Sequence, residues 1–302
     1  LAFILAMIHV IIAEDRHDKA FLEGFTLGFE QLVEHVKPCT PEWAEQETGI
    51  PAKDIVRIAR AFADSAPRAV FYAGRRSSWN TNDFQMRRAQ AILNTIVGNW
   101  DRKGGMVPNQ KVPKGEYMFL PWDDPKAPRV DEVEKNFPLA SAKDGVYLPL
   151  RENVLKGQPY PVKAWMVYKQ DPLNSVPDQG KTLRMIEQMD FVAVIDIAMS
   201  DTAWYADVVF PESHYLERTD PIEVMPGIWP AAVLRQQVVK PIHDTKPCLD
   251  IVQGLAKRLG LSDYFDYTID QWVGAEAKEL PVPNGFEHMK KHGVVAFHEP
   301  KY

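Results

Sequence analysis

Four groups of residues in this sequence have the side-chain types and spacing to bind a polar ligand. Asp196 follows directly on Phe191–Ile195, a run without a polar residue. A carboxylate at the end of such a strand accepts two N–H bonds at once, which suits a guanine edge or a ribose diol. It equally suits capping of the next turn through its own backbone, and position alone leaves both readings open. Asp201-Thr202-Ala203 is the start of a short helix with Asp201 as its cap, a place that also attracts phosphate. Lys169-Gln170-Asp171-Pro172 offers one cation and several acceptors, or an ordinary turn signalled by Asp-Pro. Gly74-Arg75-Arg76-Ser77-Ser78-Trp79 brings two guanidinium groups and two hydroxyls together. Arginine pairs match phosphate or a sulfur oxyanion by donating parallel hydrogen bonds, the alternative being surface ion pairs.

Other chemistries find no support. Eight histidines are scattered without an HxH, HExxH or His/Cys cluster, so a protein-made zinc site is not expected. His214, His243 and Cys248 read as structural. The two cysteines, Cys39 and Cys248, form neither a CxxC pair nor a disulfide framework. There is no GxSxG elbow, Walker A loop or strand-linked GxGxxG. Glu212 and Glu217 surround a Ser-His-Tyr stretch that implies no nucleophile–base pair by itself.

Elements that would position the candidates can be read from the apolar pattern. The opening Leu1–Ala13 is almost wholly apolar but shorter than the roughly 20 residues of a membrane span, and it lacks the marks of a signal peptide. It reads as a buried helix beginning mid-element, as in a chain truncated at its N-terminus. Pro51 and the face Ile55, Ile58, Ala59, Phe62 predict a helix over 48–63. A β-prone run at Arg68–Ala73 predicts a buried strand that ends at Gly74. A second helix is expected from Asn82 to about Val97, stopped by Gly98. Residues 106–160 keep no period and read as a long irregular connection. Trp165–Lys169, a helix over 179–188 and Phe191–Ile195 then make the pattern of a parallel βαβ unit. Ala206–Phe210 is a further strand and Cys248–Leu259 a helix closed by Gly260, while 263–302 carry no pattern that places them. In an open parallel sheet, ligands bind beyond the carboxyl ends of strands, where three of the four groups follow a strand directly.

Composition sets bounds. With 45% hydrophobic and 25% charged residues the chain can build an ordinary core, and 302 residues leave room for about two domains. A net charge of −6 offers no phosphate-neutralising face and argues against a nucleic-acid partner.

The run from Asp196 to Pro211, with Thr202-Ala203 and Ala206-Asp207-Val208-Val209 at its heart, resembles the signature of the dimethyl-sulfoxide-reductase family of molybdopterin oxidoreductases. Glu212-Ser213-His214-Tyr215-Leu216-Glu217-Arg218 continues the likeness. So does Lys169-Gln170-Asp171-Pro172, where many members have Gly-Glu-Asn-Pro. Gly74-Arg75-Arg76, Arg88-Ala89, Leu93-Asn94, Gly98-Asn99 and Arg102-Lys103-Gly104-Gly105 are similar to the thiosulfate and polysulfide reductase branch. Phe210 for Leu and Lys169 for Gly are departures.

The resemblance implies an α/β fold holding incomplete parts of two Rossmann-like parallel-sheet domains. Residues 1–108 would be the C-terminal part of one cofactor-binding domain and 109–160 an irregular connection. Residues 161–262 would be the second half of the other domain, with 263–302 trailing. It implies a molybdopterin guanine dinucleotide with Mo or W. Asp196 would contact a guanine, Asp201 and Thr202 would line the same dinucleotide, and Gly74, Lys169, Gln170 and Asp171 would approach the cofactor. Arg75 and Arg76 would meet the other dinucleotide or the substrate anion. No catalytic or metal-ligating residue is implied in this stretch. A 4Fe-4S cluster and the metal ligand would lie in a missing part of the chain, so this piece alone would not turn over. Partners would be that remainder, an iron–sulfur subunit and a membrane anchor, at an exported, membrane-associated location. The rivals are a cofactor-free electron-transfer scaffold of the same fold and an unrelated α/β enzyme that binds GDP without a pterin.

Overall fold

A computed structural model describes residues 1–74, 82–109, 112–123, 125–137 and 145–298. Arg75 and Arg76 lie outside the described residues. The chain forms two compact units, one from Leu1–Lys111 with Pro226–Pro230, the other from Val112–Met225 with Ala231–Phe297.

The first unit is helical. Helix α1 (Ala2–Ala13) buries Ile4, Met7, Ile8, Val10 and Ile11, the burial that its apolar run requires. It packs among α2 (Lys19–Phe25), α3 (Phe29–Val36), α4 (Pro41–Thr48), α5 (Ala52–Asp64) and α6 (Asp83–Ile96). Asp18 and Thr40 cap α2 and α4 through their side chains, and Pro41 occupies the first turn of α4. Cys39 is buried beside this core.

The expected strand at 68–73 does not form. That segment is paired with no strand among the described residues. Side-chain amides from α6 and its C-terminal turn bond it instead. Asn94 Oδ1 accepts from the Phe71 N–H at 2.9 Å, and Asn94 Nδ2 donates to the Phe71 carbonyl at 3.0 Å. Asn99 Nδ2 donates to the Ala69 carbonyl. Nor is the segment buried: Phe71 is half-buried, while Val70 and Tyr72 are exposed, so the apolar pattern misjudged both the burial and the partner.

In the second unit the stretch read as irregular contains two helices, α7 (Val133–Asn136) and α8 (Tyr147–Leu155). Helix α8 escapes the apolar pattern because part of its buried face is Arg151, whose guanidinium donates to the carbonyls of Pro177 and Asp178 and to the buried Thr182 hydroxyl. The parallel sheet follows as expected. Strands β1 (Ala164–Tyr168), β2 (Phe191–Asp196) and β3 (Val208–Pro211) lie in the order β1-β2-β3. Val167 is opposite Val194, and Asp196 opposite Pro211. The central β2 buries Val192 to Ile195 without interruption, as a strand covered on both faces must. Helices α9 (Pro172–Ser175) and α10 (Gln179–Glu187) connect β1 to β2, and α11 (Asp201–Trp204) connects β2 to β3.

A second sheet is antiparallel and small: β4 (Glu223–Met225), β5 (Ala231–Val233) and β6 (Val294–Ala296). After α12 (Cys248–Leu259), helices α13 (Ile269–Glu276) and α14 (Gly285–His292) pack on this sheet around Val273, Ala277, Leu280 and Met289. Residues 263–297, which the sequence left unplaced, thus belong to a core that also takes in Val112. Glu276, 5% exposed, pairs with Lys114 at 2.6 Å and accepts from the Ile222 N–H at 2.7 Å. Gly115 donates its N–H to the Glu276 carbonyl, and a Cβ there would stand 2.4 Å from the Ala275 carbonyl oxygen. Stacking of Trp122 on Tyr264, 4.1 Å apart and 9° from parallel, fixes the continuation.

Candidate functional site

The carboxyl ends of β1, β2 and β3 meet around a cavity of about 430 Å³ bordered by Lys169, Gln170, Asp171, Asp196, Ile197, Glu212, Tyr215, Arg218 and Arg235. The sequence candidates Lys169, Gln170, Asp171 and Asp196 are therefore brought to one place. Gly74 belongs to the other unit, at φ +63, where its carbonyl accepts from Arg87 Nη2 at 2.9 Å.

Asp196 caps its own turn: Oδ1 accepts from the Ile197 N–H at 2.7 Å and Oδ2 from Ser200 Oγ at 2.8 Å. A carboxylate has about four acceptor directions, so this use leaves capacity on both oxygens for a ligand. The two readings of Asp196 are compatible.

The cap of α11 is not Asp201 but Ser200, whose Oγ accepts from the Ala203 N–H. Ser200 wins because its extended backbone (φ −70°, ψ 166°) has the geometry of a cap, while Asp201 is already helical. Asp201 borders a different cavity, of about 600 Å³, with Gln179, Leu183, Trp204 and Tyr205. Thr202 is fully buried and borders neither cavity. Its N–H and hydroxyl both donate to Asp171 Oδ1, at 3.0 and 2.6 Å, and its Oγ1 accepts from the Leu173 N–H at 3.2 Å. Asp171 and Thr202 thus clamp the end of β1 to the start of α11 through Asp171 Oδ1, which leaves Oδ2 outside the clamp.

Lys169 has φ +56, a left-handed conformation that favours glycine. Its departure from the Gly-Glu-Asn-Pro pattern therefore keeps the turn while adding an ammonium group. That group lies 5.0 Å over the Tyr168 ring.

One part of the site was not picked out in the sequence. Glu212, 3% exposed, pairs with Arg218 at 2.8 Å and accepts from the Tyr168 hydroxyl at 2.9 Å. Arg218 also donates to the Ser213 carbonyl at 2.7 Å and to Asp220 at 2.9 Å. Asp220 is shared with Arg235, which lies over the Tyr215 ring. Burial, then the neighbouring Cys248 thiol and Glu212, push the Tyr168 hydroxyl well above its ordinary pKa, so it stays a donor. Burial likewise raises the Cys248 thiol. For Arg218 burial opposes the charge, but Asp220 and Glu212 outweigh it and hold the guanidinium protonated. The signal for this network is the Glu-to-Arg run at 212–218, but Asp220 and Arg235 join it from a loop and from beyond β5, at no regular spacing.

Three cations border the cavity (Lys169, Arg218, Arg235) against three carboxylates (Asp171, Asp196, Glu212), and Asp220 adds a fourth carboxylate just behind. Such a wall does not collect anions. It suits an uncharged, donor-rich group. Among the described residues no cluster of His, Cys, Asp and Glu could hold a metal ion, and no helix is long and apolar enough to cross a membrane.

Comparison with known proteins adds a lineage. Residues 1–258 match the model of the molybdopterin oxidoreductase family. The thiosulfate reductase molybdopterin-containing subunit PhsA of Salmonella typhimurium is 36% identical over 96% of this chain and 39% of its own length. Acetylene hydratase of Syntrophotalea acetylenica is 30% identical over 88% of this chain and 40% of its own. The solved acetylene hydratase from Pelobacter acetylenicus superimposes with a TM-score of 0.73 at 25% identity, covering 99% of this chain and 44% of that one. The chain thus spans about two-fifths of the length of these relatives.

Proposed function

Since the chain belongs to the molybdopterin oxidoreductase family, we propose that its β1–β3 cavity holds the guanine nucleoside end of a molybdopterin guanine dinucleotide. The observation that carries this is the charge-balanced cavity with unused acceptors on Asp171 and Asp196 at the carboxyl ends of parallel strands. A guanine edge and a ribose diol present N–H and O–H donors, which match those acceptors; the diphosphate would not be drawn to this wall. The residues present therefore fit the group. Asp196 would take the guanine N–H groups and Gln170 and Asp171 the ribose side, with Lys169 toward the outer rim. Asp201 would line the dinucleotide from the neighbouring cavity, the buried Thr202 would act through its clamp on Asp171, and Gly74 would serve the other unit. When bound, the Mo- or W-pterin group supplies the two-electron redox chemistry. The chain's own share is to orient that group and to set the charge around it.

The substrate in this reading is thiosulfate, polysulfide or a related oxyanion. Support comes from the likeness to a thiosulfate reductase subunit and from Arg75 and Arg76, whose side-chain chemistry suits an oxyanion. The remainder of the enzyme would bring the metal ligand and a 4Fe-4S cluster. An iron–sulfur subunit and a membrane anchor would be its partners at an exported location, and this stretch alone would not turn over.

The test is chemical. Acid release of nucleotide from the purified full-length enzyme should give GMP in stoichiometric amount, with an Asp196→Ala variant releasing much less. A wild-type enzyme that releases no GMP would instead be a cofactor-free electron-transfer scaffold of this fold.

A further inference from the structure

The Tyr168–Glu212–Arg218 network has a place in the fold that a purely stabilising ion pair does not need. Glu212 follows β3 directly, and its N–H donates to the Asp196 carbonyl at 2.9 Å. Its side chain holds the hydroxyl of Tyr168, the last residue of β1. One residue therefore ties the Asp196 turn by main chain to the residue before Lys169 by side chain. Lys169 itself sits in a left-handed conformation that an L residue with a Cβ disfavours. A turn built on it has a lower-energy alternative unless its flank is held. Tyr168 is that flank, and it does not border the cavity.

The energetics point the same way. A carboxylate 3% exposed and a guanidinium 7% exposed give up much hydration, and apolar residues of similar volume often hold a fold as well or better. Here Arg218 continues through Asp220 to Arg235, so the network joins three residues that border the cavity (Glu212, Arg218 and Arg235) to the strand ends.

We propose that Glu212, acting through the Tyr168 hydroxyl, is a positioning residue that fixes the Lys169 turn against the Asp196 turn and so sets the affinity of this cavity for a purine nucleoside. This rests on the nucleotide reading above.

The experiment is calorimetric titration of GDP into the metal-free full chain, with thermal unfolding followed in parallel. Wild type binds GDP. Tyr168→Phe weakens binding about threefold to tenfold, the worth of one hydrogen bond, and lowers the thermal midpoint by no more than the loss of that bond accounts for. Lys169→Gly, which has no left-handed strain to resist, recovers part of that loss when combined with Tyr168→Phe. Glu212→Gln behaves like Tyr168→Phe where it folds; where it does not, the tyrosine variant decides. If Tyr168→Phe lowers the midpoint but leaves GDP affinity unchanged, or if Lys169→Gly gives no recovery, the positioning role is overturned while the nucleotide reading stands. If wild type itself does not bind GDP, the nucleotide reading falls first and this role goes with it.

Discussion

Residues 69–73 and the strand β2 start from similar material, short β-prone runs in an α/β chain, and end differently. Val192 to Ile195 find parallel partners on both sides and become the buried centre of a sheet. Residues 69–73 find Asn94 and Asn99. Their backbone is satisfied along one side by amides, while Val70 and Tyr72 stay 39% and 84% exposed. The difference teaches that an apolar pattern selects residues fit for a strand, but a backbone partner makes the strand. Where none is present, a side chain with a donor and an acceptor can stand in for one residue of a neighbour.

The sharpest way to break that comparison is Asn94→Ala. It removes both bonds to Phe71 and leaves a half-buried N–H and C=O without them, so we expect a loss of about 2–3 kcal/mol. Urea unfolding measures it; a change within the scatter of surface substitutions would show that solvent holds the segment equally well. In the sheet unit the matching cut is Thr202→Val. The loss of one hydroxyl from Asp171 and from the Leu173 N–H should cost about 1–2 kcal/mol, because the Thr202 N–H keeps half of the clamp. An equal or larger cost than Asn94→Ala would reverse the ranking of the two devices.

The smallest effect is expected at Asp131, where a carboxylate serves the same purpose for a loop. Its oxygens accept from the Val133 and Val146 N–H groups and from Arg129. Chiefly the Arg129 hydrogen bond, with help from the two N–H groups and against the cost of burial, lowers its pKa to about 2. A carboxylate with a depressed folded-state value contributes stability above its unfolded value near 4, and that contribution disappears as pH falls toward 2. Solvent screening of the partly exposed Arg129 reduces it to the order of 1 kcal/mol. Unfolding of Asp131→Asn, compared with wild type between pH 5 and 2, should show the wild-type advantage shrink with acid; a constant difference would remove the ionic part of the argument.

Much of the sheet unit was legible because its signals are local. Phe191–Ile195 declares a doubly covered strand, Asp-Pro marks the turn after β1, and Asp196 stands at the rim by simple succession. The rest depends on contacts made across long separations. Ser200 replaced Asp201 as cap because one residue decides where helical backbone begins, which spacing does not resolve. Helix α8 hid behind a buried arginine, and residues 263–297 behind strands of three residues and a buried Lys–Glu pair. Arg235 could not be joined to Glu212 from sequence, since the path between them runs through Arg218 and Asp220.

The two thiols give the molecule a pair of internal clocks. Cys39 lies in the helical core and Cys248 at the start of α12, one in each compact unit, and burial holds both above the ordinary thiol pKa. Alkylation of the buried Cys39 then waits on local opening, while the half-buried Cys248 is slowed by its raised pKa. Cys39 therefore reports the breathing of the helical unit, and Cys248 the state of the same tyrosine that flanks the Lys169 turn.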